Sequence, residues 1–292
     1  MLTVLAPAKL NLTLEVLAKR PDGFHEIRSV IQTINLCDSL HFQLSRNIEF
    51  KSSMPDLIPE DSLVSKATSL LREATGCSNG ATIEVTKRIP LVSGLGGDSS
   101  DAAATLRGLN KLWGLGLSPL ELLELASQLG SDVAFFVYGG TAVVKGRGEM
   151  VTPLPPLPPM WVVVMMPPPV PRMLGKTERL YASLNSSHYT DGQVTGRLVA
   201  LLTGRSLKGE RLVSNIFNVF DDVARNSFTG LGEYWHQFLE SGAQQVHLAG
   251  SGPALFTLLK DKVEAGRLHR SLQQQGLESY LTDTLTTVEK IE

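Results

Sequence analysis

Ile89-Pro90-Leu91-Val92-Ser93-Gly94-Leu95-Gly96-Gly97-Asp98-Ser99-Ser100 is the stretch on which the reading of this chain turns. Glycines let the backbone approach a ligand closely and take positive φ. A long helix is predicted directly after them, from about Ser99 to Trp113. A helix start offers unpaired N–H groups and a partial positive charge, which suits a phosphate. Ser99 and Ser100 add hydroxyls that can donate to phosphate or hold Mg2+. The same residues also suit a plain glycine-rich turn in which Ser99 or Asp98 only caps the helix, and the stretch alone leaves both readings open. Two commoner cradles are disfavoured. No Lys follows the glycines as GxxxxGK[ST] requires, and Ser99 stands where GxGxxG needs its last glycine.

Upstream, Leu10, Leu12, Leu14 and Val16 alternate with Asn11, Thr13 and Glu15, so a strand is predicted with Lys9, Asn11 and Thr13 on one face. Pro21-Asp22-Gly23 is a turn signal. Strands are expected around Ser29–Leu36, Ser39–Leu44 and Ala81–Val85, and the alternation suggests an antiparallel, half-buried sheet. Asp61–Arg72 has a helical stripe of Leu63, Ala67, Leu70 and Leu71. Ser118 and Pro119 open a helix to about Leu129. A short apolar helix, Ser131–Phe136, precedes a Gly139-Gly140 turn and a strand at Thr141–Val144.

Downstream, nine of the 16 prolines lie between Pro153 and Pro171. Proline is excluded from helix interiors and central strands, so these residues read as connectors around a buried strand, Trp161–Met166. The change of domain is placed here. A polyproline ligand is disfavoured, because an apolar strand splits the cluster and no repeated PxxP core with basic flanks occurs. The second half then reads as helices near Lys176–Leu184, Gly192–Leu202, Asn215–Arg225 and Gly230–Ser241. Strands follow at Val246–Leu248 and Leu255–Leu259, with a helix at Lys262–Gln275 and a last strand at Tyr280–Leu285. The absence of regular βαβ alternation points to α+β.

The 292 residues carry 27 Lys plus Arg and 29 Asp plus Glu, a net charge of −2 that provides no basic field for nucleic acid or anionic lipid. Cys37 and Cys77 form no CxxC and no disulfide framework. No secretory signal is read in MLTVLAPAKLNLTLEV, and the densest apolar run is far shorter than the ~20 residues of a membrane span. The expectation is a soluble cytoplasmic protein with no nucleic-acid or membrane partner.

Three segments converge. Pro7-Ala-Lys9-Leu-Asn11-Leu, the Pro90–Ser100 loop and Ala249-Gly-Ser-Gly-Pro253 resemble, in order across the chain, the three motifs of the GHMP small-molecule kinases. Ala6–Leu12, Arg20-Pro-Asp-Gly-Phe-His25, Gly94–Gly97 and Leu129-Gly-Ser-Asp132-Val resemble the branch acting on a polyol that carries a cytidine diphosphate group. The resemblance implies a two-domain α+β fold. Residues 1–152 would form a ribosomal-S5-domain-2-like ATP domain, and 153–292 a smaller ferredoxin-like substrate domain. It also implies transfer of the ATP γ-phosphoryl group, with Mg2+, to the 2-hydroxyl of a methylerythritol unit; a monomer or weak homodimer is the expectation for its assembly. Homoserine- or mevalonate-type kinases, and a non-catalytic module on this fold, are the alternatives.

By itself Asp132 is an acid in the first turn of a helix capped by Ser131, where the dipole favours it, and Lys9 is a solvated strand lysine. The resemblance makes Asp132 the general base and Lys9 the charge-balancing catalytic lysine. It gives Asn11, Phe24, His25, Thr177 and Tyr181 to the substrate, with the base between Phe24 and Tyr181 and hydrogen-bonded by His25. Phe24 replaces a frequent tyrosine. Pro90, Leu91, Val92, Ser93, Gly94, Leu95, Gly96, Gly97, Asp98, Ser99 and Ser100 would hold the triphosphate. Lys87 and the Ser62-Leu63 backbone would stand on the adenine side, although Lys87 alone reads as an exposed residue before a loop. No dedicated protein metal site is expected. Three departures stand out: Asp98 where glycine is usual, Asn215-Ile-Phe-Asn218 in place of Asn-Asp-Leu-Glu, and the proline-rich connector. Asp98 can face solvent, cap the helix or help hold Mg2+.

Overall fold

Strands β1 (Leu2–Lys19) and β2 (His25–Ser45) form one long antiparallel ribbon. The computed structural model describes residues 1–54, 62–168, 175–204 and 212–287. The ribbon is joined at the Pro21-Asp22-Gly23 turn, where Asp22 accepts from the Phe24 N–H at 3.1 Å and Gly23 has φ +86°. β1 and β2 belong to a seven-stranded sheet. One stretch of β2 pairs with β4 (Gly80–Thr86), which carries β3 (Ile48–Ser52). The other pairs with β5 (Thr141–Gly146), which carries β6 (Met150–Pro153). The remaining edge of β1 takes β8 (Phe217–Asn218) in parallel. A second sheet of four strands has the order β11 (Glu278–Asp283), β7 (Trp161–Met166), β10 (Leu255–Leu259), β9 (His247–Leu248), all antiparallel.

Helices α1 (Leu63–Thr75), α2 (Gly97–Leu112), α3 (Pro119–Leu129) and α4 (Ser131–Tyr138) build one core with the first sheet. Gly108 lets α2 press onto β2, since a Cβ there would stand 2.5 Å from the Phe42 ring. α6 (Gln193–Thr203) and the second sheet cover the other face near Ala8, Leu10 and Leu12. α5 (Lys176–Ala182), α7 (Phe220–Ser227), α8 (Leu231–Glu240) and α9 (Lys262–Gln274) complete the second layer.

The half-buried sheet is corrected: β1 is buried continuously from Ala6 to Val16. Register shifts at Pro7/Ala8, Asn11/Thr13 and Val16/Ala18 re-aim its side chains. Leu2, Val4 and Ala6 therefore enter one core, Ala8, Leu10 and Leu12 a second, Leu14 and Val16 a third. Other corrections follow from pairing. The two strands expected after the first turn are the single β2, which stays bonded to β1 through Cys37 and Asp38. β3 and β6 are further short strands, of five and four residues. Asn215–Arg225 is not one helix, because Phe217 and Asn218 extend the β1 edge before α7 begins. Ser131 is the first residue of α4 and caps nothing; Gly130 is its N-cap. Ser118 does cap α3, with Pro119 first and Glu121 closing a capping box. Of the connector, Pro169 and Pro171 lie outside the described residues, as does Asp61 of the first predicted helix. β11 stays in the second sheet, while the next residues reach the first: Thr284 bridges Ile34, and the Leu285 N–H donates to Thr33.

Candidate active site

The glycine-rich loop opens α2 without a side-chain cap. Gly96, at φ +75°, is the N-cap, so neither Ser99 nor Asp98 caps the helix. The first N–H groups of this helix have no partner in its own ladder. Pro90 and Leu91 enter the loop half-buried, and Val92 turns through φ +55° with its side chain exposed. Buried Ser93 accepts from Ala254 N–H through its carbonyl, and its hydroxyl accepts from Leu95 N–H at 3.3 Å. The Leu95 carbonyl accepts from the Lys9 N–H at 2.9 Å, which seats the loop on β1. Gly97 crosses beside Ile89 and the Lys87 ammonium, and a Cβ there would stand 3.1 Å from Ile89. Ser99 is half-buried; Ser100 is fully buried, and its hydroxyl finds no partner among the described residues. Uncapped N–H groups and a cradle that side chains would fill fit an anionic phosphate chain.

Lys9, Asn11 and Asp132 meet beside this loop. The Lys9 ammonium donates to Asn11 Oδ1 at 2.8 Å and lies 3.4 Å from Asp132 Oδ2. Asn11 Nδ2 donates to Ser29 Oγ at 2.9 Å, and Ser29 in turn donates to the Thr13 carbonyl. Lys9 is no solvated strand lysine, since only 6% of it is exposed. The Asp132 side chain keeps 38% of its surface open, so a hydroxyl can reach it. A Cβ on Gly96 would stand 3.1 Å from Lys9 Cγ and 3.0 Å from Phe136, so only glycine lets loop and lysine approach this closely. Thr13 does not join this pair. Its hydroxyl accepts from the Val30 N–H and from Thr195 Oγ1.

The Ala249–Pro253 segment packs directly on the loop. A Cβ on Gly94, at φ +89°, would fall 2.0 Å from the Ala249 carbonyl. A Cβ on Gly250 would stand 3.0 Å from the Gly94 carbonyl and 3.4 Å from the Lys9 ammonium. Asn218 holds this segment: its Nδ2 donates to Leu248 O at 2.9 Å and Gly250 O at 2.8 Å, and its Oδ1 accepts from the Phe220 N–H. That gives the departing Asn215–Asn218 stretch a role. From α5, Thr177 Oγ1 lies 2.9 Å from Ser251 Oγ.

Lys87 is not exposed. Its ammonium lies 2.7 Å from Asp38, 2.8 Å from Asp101 and 3.4 Å from Asp98. Asp38 also accepts from the backbone of Arg88 and Ile89. Burial pushes Asp101 up to about 7, and Asp38 adds to this, against the pull of Lys87. The carboxylates on balance hold Lys87 well above the ordinary lysine range. Its ammonium therefore anchors the root of α2 and the loop before it. Asp98 leans on this cluster with a side chain that is mostly exposed, which answers where that unusual carboxylate sits.

The rings expected around a base are partly assembled. His25 lies 5.0 Å from Tyr181, tilted 30°, and 6.2 Å from Tyr189 at an edge angle. Tyr181 leans edge-on against Phe220. Burial, then the nearby Asp132 charge, push its phenol above the usual range, so it stays a neutral donor. Burial, then Lys19, push His25 down. Phe24 is 55% exposed and meets the Arg147 guanidinium 4.7 Å from its ring centroid, not Tyr181. Arg147, Tyr189 and Asn218 touch these candidate residues, and no sequence spacing announces them. Gly146-Arg147-Gly148 carried only the turn signal of its glycines.

Residues 62–140 match the GHMP kinases N terminal domain, and residues 200–277 match the GHMP kinases C terminal domain. The chain is 50% identical to a 4-diphosphocytidyl-2-C-methyl-D-erythritol kinase of Dehalococcoides mccartyi (strain ATCC BAA-2266 / KCTC 15142 / 195), over 98% of this chain and 99% of that one. It is 41% identical to the enzyme of the same name from Geobacillus thermodenitrificans, over 93% of each. A crystal structure of 4-(cytidine 5'-diphospho)-2C-methyl-D-erythritol kinase superposes with a TM-score of 0.82 at 30% identity, covering 97% of this chain and 98% of that one. A homoserine kinase from Cytophaga hutchinsonii shares the fold, with a TM-score of 0.75 at 21% identity. A glycine loop on an uncapped helix, a lysine–aspartate pair beside it and full-length likeness at this identity agree: the chain belongs to the GHMP kinases, in the family of the 4-diphosphocytidyl-2-C-methyl-D-erythritol kinases.

Proposed function

We propose that this chain transfers the γ-phosphoryl group of ATP to the 2-hydroxyl of 4-diphosphocytidyl-2-C-methyl-D-erythritol. The observation that carries the reading is the meeting of Lys9, Asn11 and Asp132 against Gly96 of the glycine loop. Phosphoryl transfer needs little covalent work from a protein; it needs in-line positioning and charge compensation. Asp132 accepts the hydroxyl proton as the oxygen attacks. Lys9, fixed by Asn11, offsets charge on the attacking oxygen and the moving phosphoryl group. The Pro90–Ser100 loop and the start of α2 hold the triphosphate through backbone N–H groups. Asn11 and Thr177 position the polyol end of the acceptor, and His25, Tyr181 and Phe24 take its base. His25, held neutral, can hydrogen-bond a pyrimidine edge. Lys87 serves ATP indirectly, by fixing the loop.

Mg2+ fits as a nucleotide-borne ion. No group of three His, Cys, Asp or Glu side chains is arranged to hold a metal among the described residues. The residues that would hold it, beside phosphate oxygens and water, are Asp98 and Ser99 in the first turn of α2. When bound it would offset the negative charge of the phosphates. The division at residue 152, a monomer or weak homodimer, and a cytoplasmic setting complete the proposal. No helix among the described residues is long and apolar enough to cross a membrane.

The test is ADP release with Mg-ATP and four alcohols: the diphosphocytidyl compound, homoserine, mevalonate and galactose. Turnover of the cytidine compound alone is expected. Turnover of a different alcohol would discard the base site but keep the kinase, and no turnover at all would favour a binding module.

A further inference from the structure

Lys176 opens α5, and its ammonium donates to two carbonyls from distant parts of the chain. One is Val92 O, at 2.8 Å, in the glycine loop; the other is Gly252 O, in the Ala249–Pro253 segment. These loops touch each other: a Cβ on Gly94 would stand 2.9 Å from Gly252 N. Val92 is the residue at which a side-chain-bearing position takes φ +55°, and Lys176 holds the carbonyl that this turn presents.

The charge on Lys176 is not balanced. Lys9 has Asp132, and Lys87 has Asp38, Asp98 and Asp101. Among the described residues no carboxylate pairs with Lys176. Neutral carbonyls satisfy its donors and do not cancel its charge. Burial, and then repulsion from Lys9, push its ammonium down to about 8. The two loops against it, residues 89–97 and 249–254, bring no ionisable side chain. Among the described residues the charge acting on it is Lys9 on β1, which Asp132 of α4 pairs, and Glu178 stands in the first turn of α5 itself. Lys176 is half-buried; a partly desolvated cation without a counter-charge costs free energy, and an anion brought to the loop lowers that cost. The Gly250-Ser251-Gly252 turn thus lies between two ammonium groups, Lys9 on one side and Lys176 on the other.

We propose that Lys176 is a second lysine of the phosphoryl-transfer centre beside Lys9, binding the β- and γ-phosphates of ATP from the side of the Ala249–Pro253 segment. The proposal rests on the kinase reading above. ATP is favoured over the acceptor's diphosphate because the Val92 carbonyl lies in the glycine loop, two residues before Gly94. Two of the three ammonium donors are committed to carbonyls, which leaves one for a phosphate oxygen.

The test is calorimetric titration of the full chain with adenosine, ADP and Mg-ATP, and separately with the cytidine-diphosphate acceptor. Wild type is measured beside K176M, K176Q and K176R. A charge-assisted hydrogen bond corresponds to roughly 10–100-fold in affinity. K176M and K176Q should weaken ADP and ATP by that factor and adenosine by less than about 2-fold, and K176R should regain most of it. K176Q retains donors for both carbonyls, so it separates charge from bracing. Wild-type ATP affinity in K176Q, equal weakening of adenosine and ATP, or weakening confined to the acceptor would each overturn the proposal. Failure of the wild type to bind ATP would instead remove the kinase reading, and this proposal with it.

Discussion

Asp132→Asn separates chemistry from architecture. The variant keeps the shape of the side chain and removes its charge and its ability to take a proton. The structural cost is bounded by what Asp132 touches. It stands in the first turn of α4, where a carboxylate gains roughly 0.3–1 kcal/mol from the helix dipole. Its ion pair with Lys9 spans 3.4 Å with the Asp132 side chain 38% exposed, and a pair that open to solvent contributes about 1 kcal/mol or less. The fold therefore loses at most about 2 kcal/mol, which a domain stable by roughly 5–15 kcal/mol tolerates. At about 2–4 °C per kcal/mol, the melting temperature falls by no more than about 8 °C. The chemical cost is larger. A lost general base lowers turnover by about 100-fold or more, equivalent to at least about 2.7 kcal/mol on the barrier. ADP release at 25 °C under saturating acceptor, with a thermal melt of the same sample, reads both quantities. The expected result is a folded variant that binds Mg-ATP and turns over at 1% of wild type or less, roughly. Near-normal turnover would remove Asp132 from the mechanism. A collapse in melting temperature matching the activity loss would make it structural.

Four further outcomes are expected. His25→Ala should raise the acceptor KM by about 10-fold or more and leave the ATP KM alone, the scale of a lost hydrogen bond with its partner unpaired; equal shifts in both constants would contradict the base-site assignment. Gly94→Ala should cost at least about 2 kcal/mol, because its Cβ would fall 2.0 Å from the Ala249 carbonyl at φ +89°; unchanged urea unfolding would show that the two loops do not need this contact. Asn218→Ala removes three buried hydrogen bonds and should cost about 2–4 kcal/mol, with a raised ATP KM as Gly250 loosens; a cost within experimental error would show that the segment is held elsewhere. Burial, reinforced by Asp38, raises Asp101 from 3.8 to about 7. Between those values the folded chain keeps a proton that the unfolded chain has lost, so this group makes stability fall as pH rises through that window and level off above it. Asp101→Asn should flatten that part of the melting-temperature profile relative to wild type, and parallel profiles would refute the burial argument.

Much of the site was legible because glycine and helix-start chemistry are local. Gly94, Gly96 and Gly97 stand directly before a helix in the sequence, so a backbone cradle can be read without knowing what surrounds it. Lys9 and Asn11 two residues apart on a strand share a face by the period of two, and they touch. The Ser118-Pro119 helix start is equally local. Asp132 is different: nothing within its own segment separates a catalytic carboxylate from one that stabilises a helix start, and only the family resemblance and the pairing with Lys9 single it out. Lys87 alone looks solvated because it is a lone lysine before a loop, whereas its three partners come from β2 and α2, the farthest being Asp38.

The sequence by itself determined the α+β class, most of the elements and the three segments that meet at the candidate site, since composition, periodicity and turn residues act over a few neighbours. Only the tertiary structure decided which faces of β1 are buried, because three register shifts send one alternating strand into three cores. It alone decided that Asn218 holds the Ala249–Pro253 segment, that Phe24 turns to Arg147, and that Lys176 reaches both the glycine loop and Gly252. Those contacts join residues 84 and 76 positions apart in the case of Lys176. Their energy depends on burial and on the charges assembled around them, quantities that exist only once the chain has closed on itself.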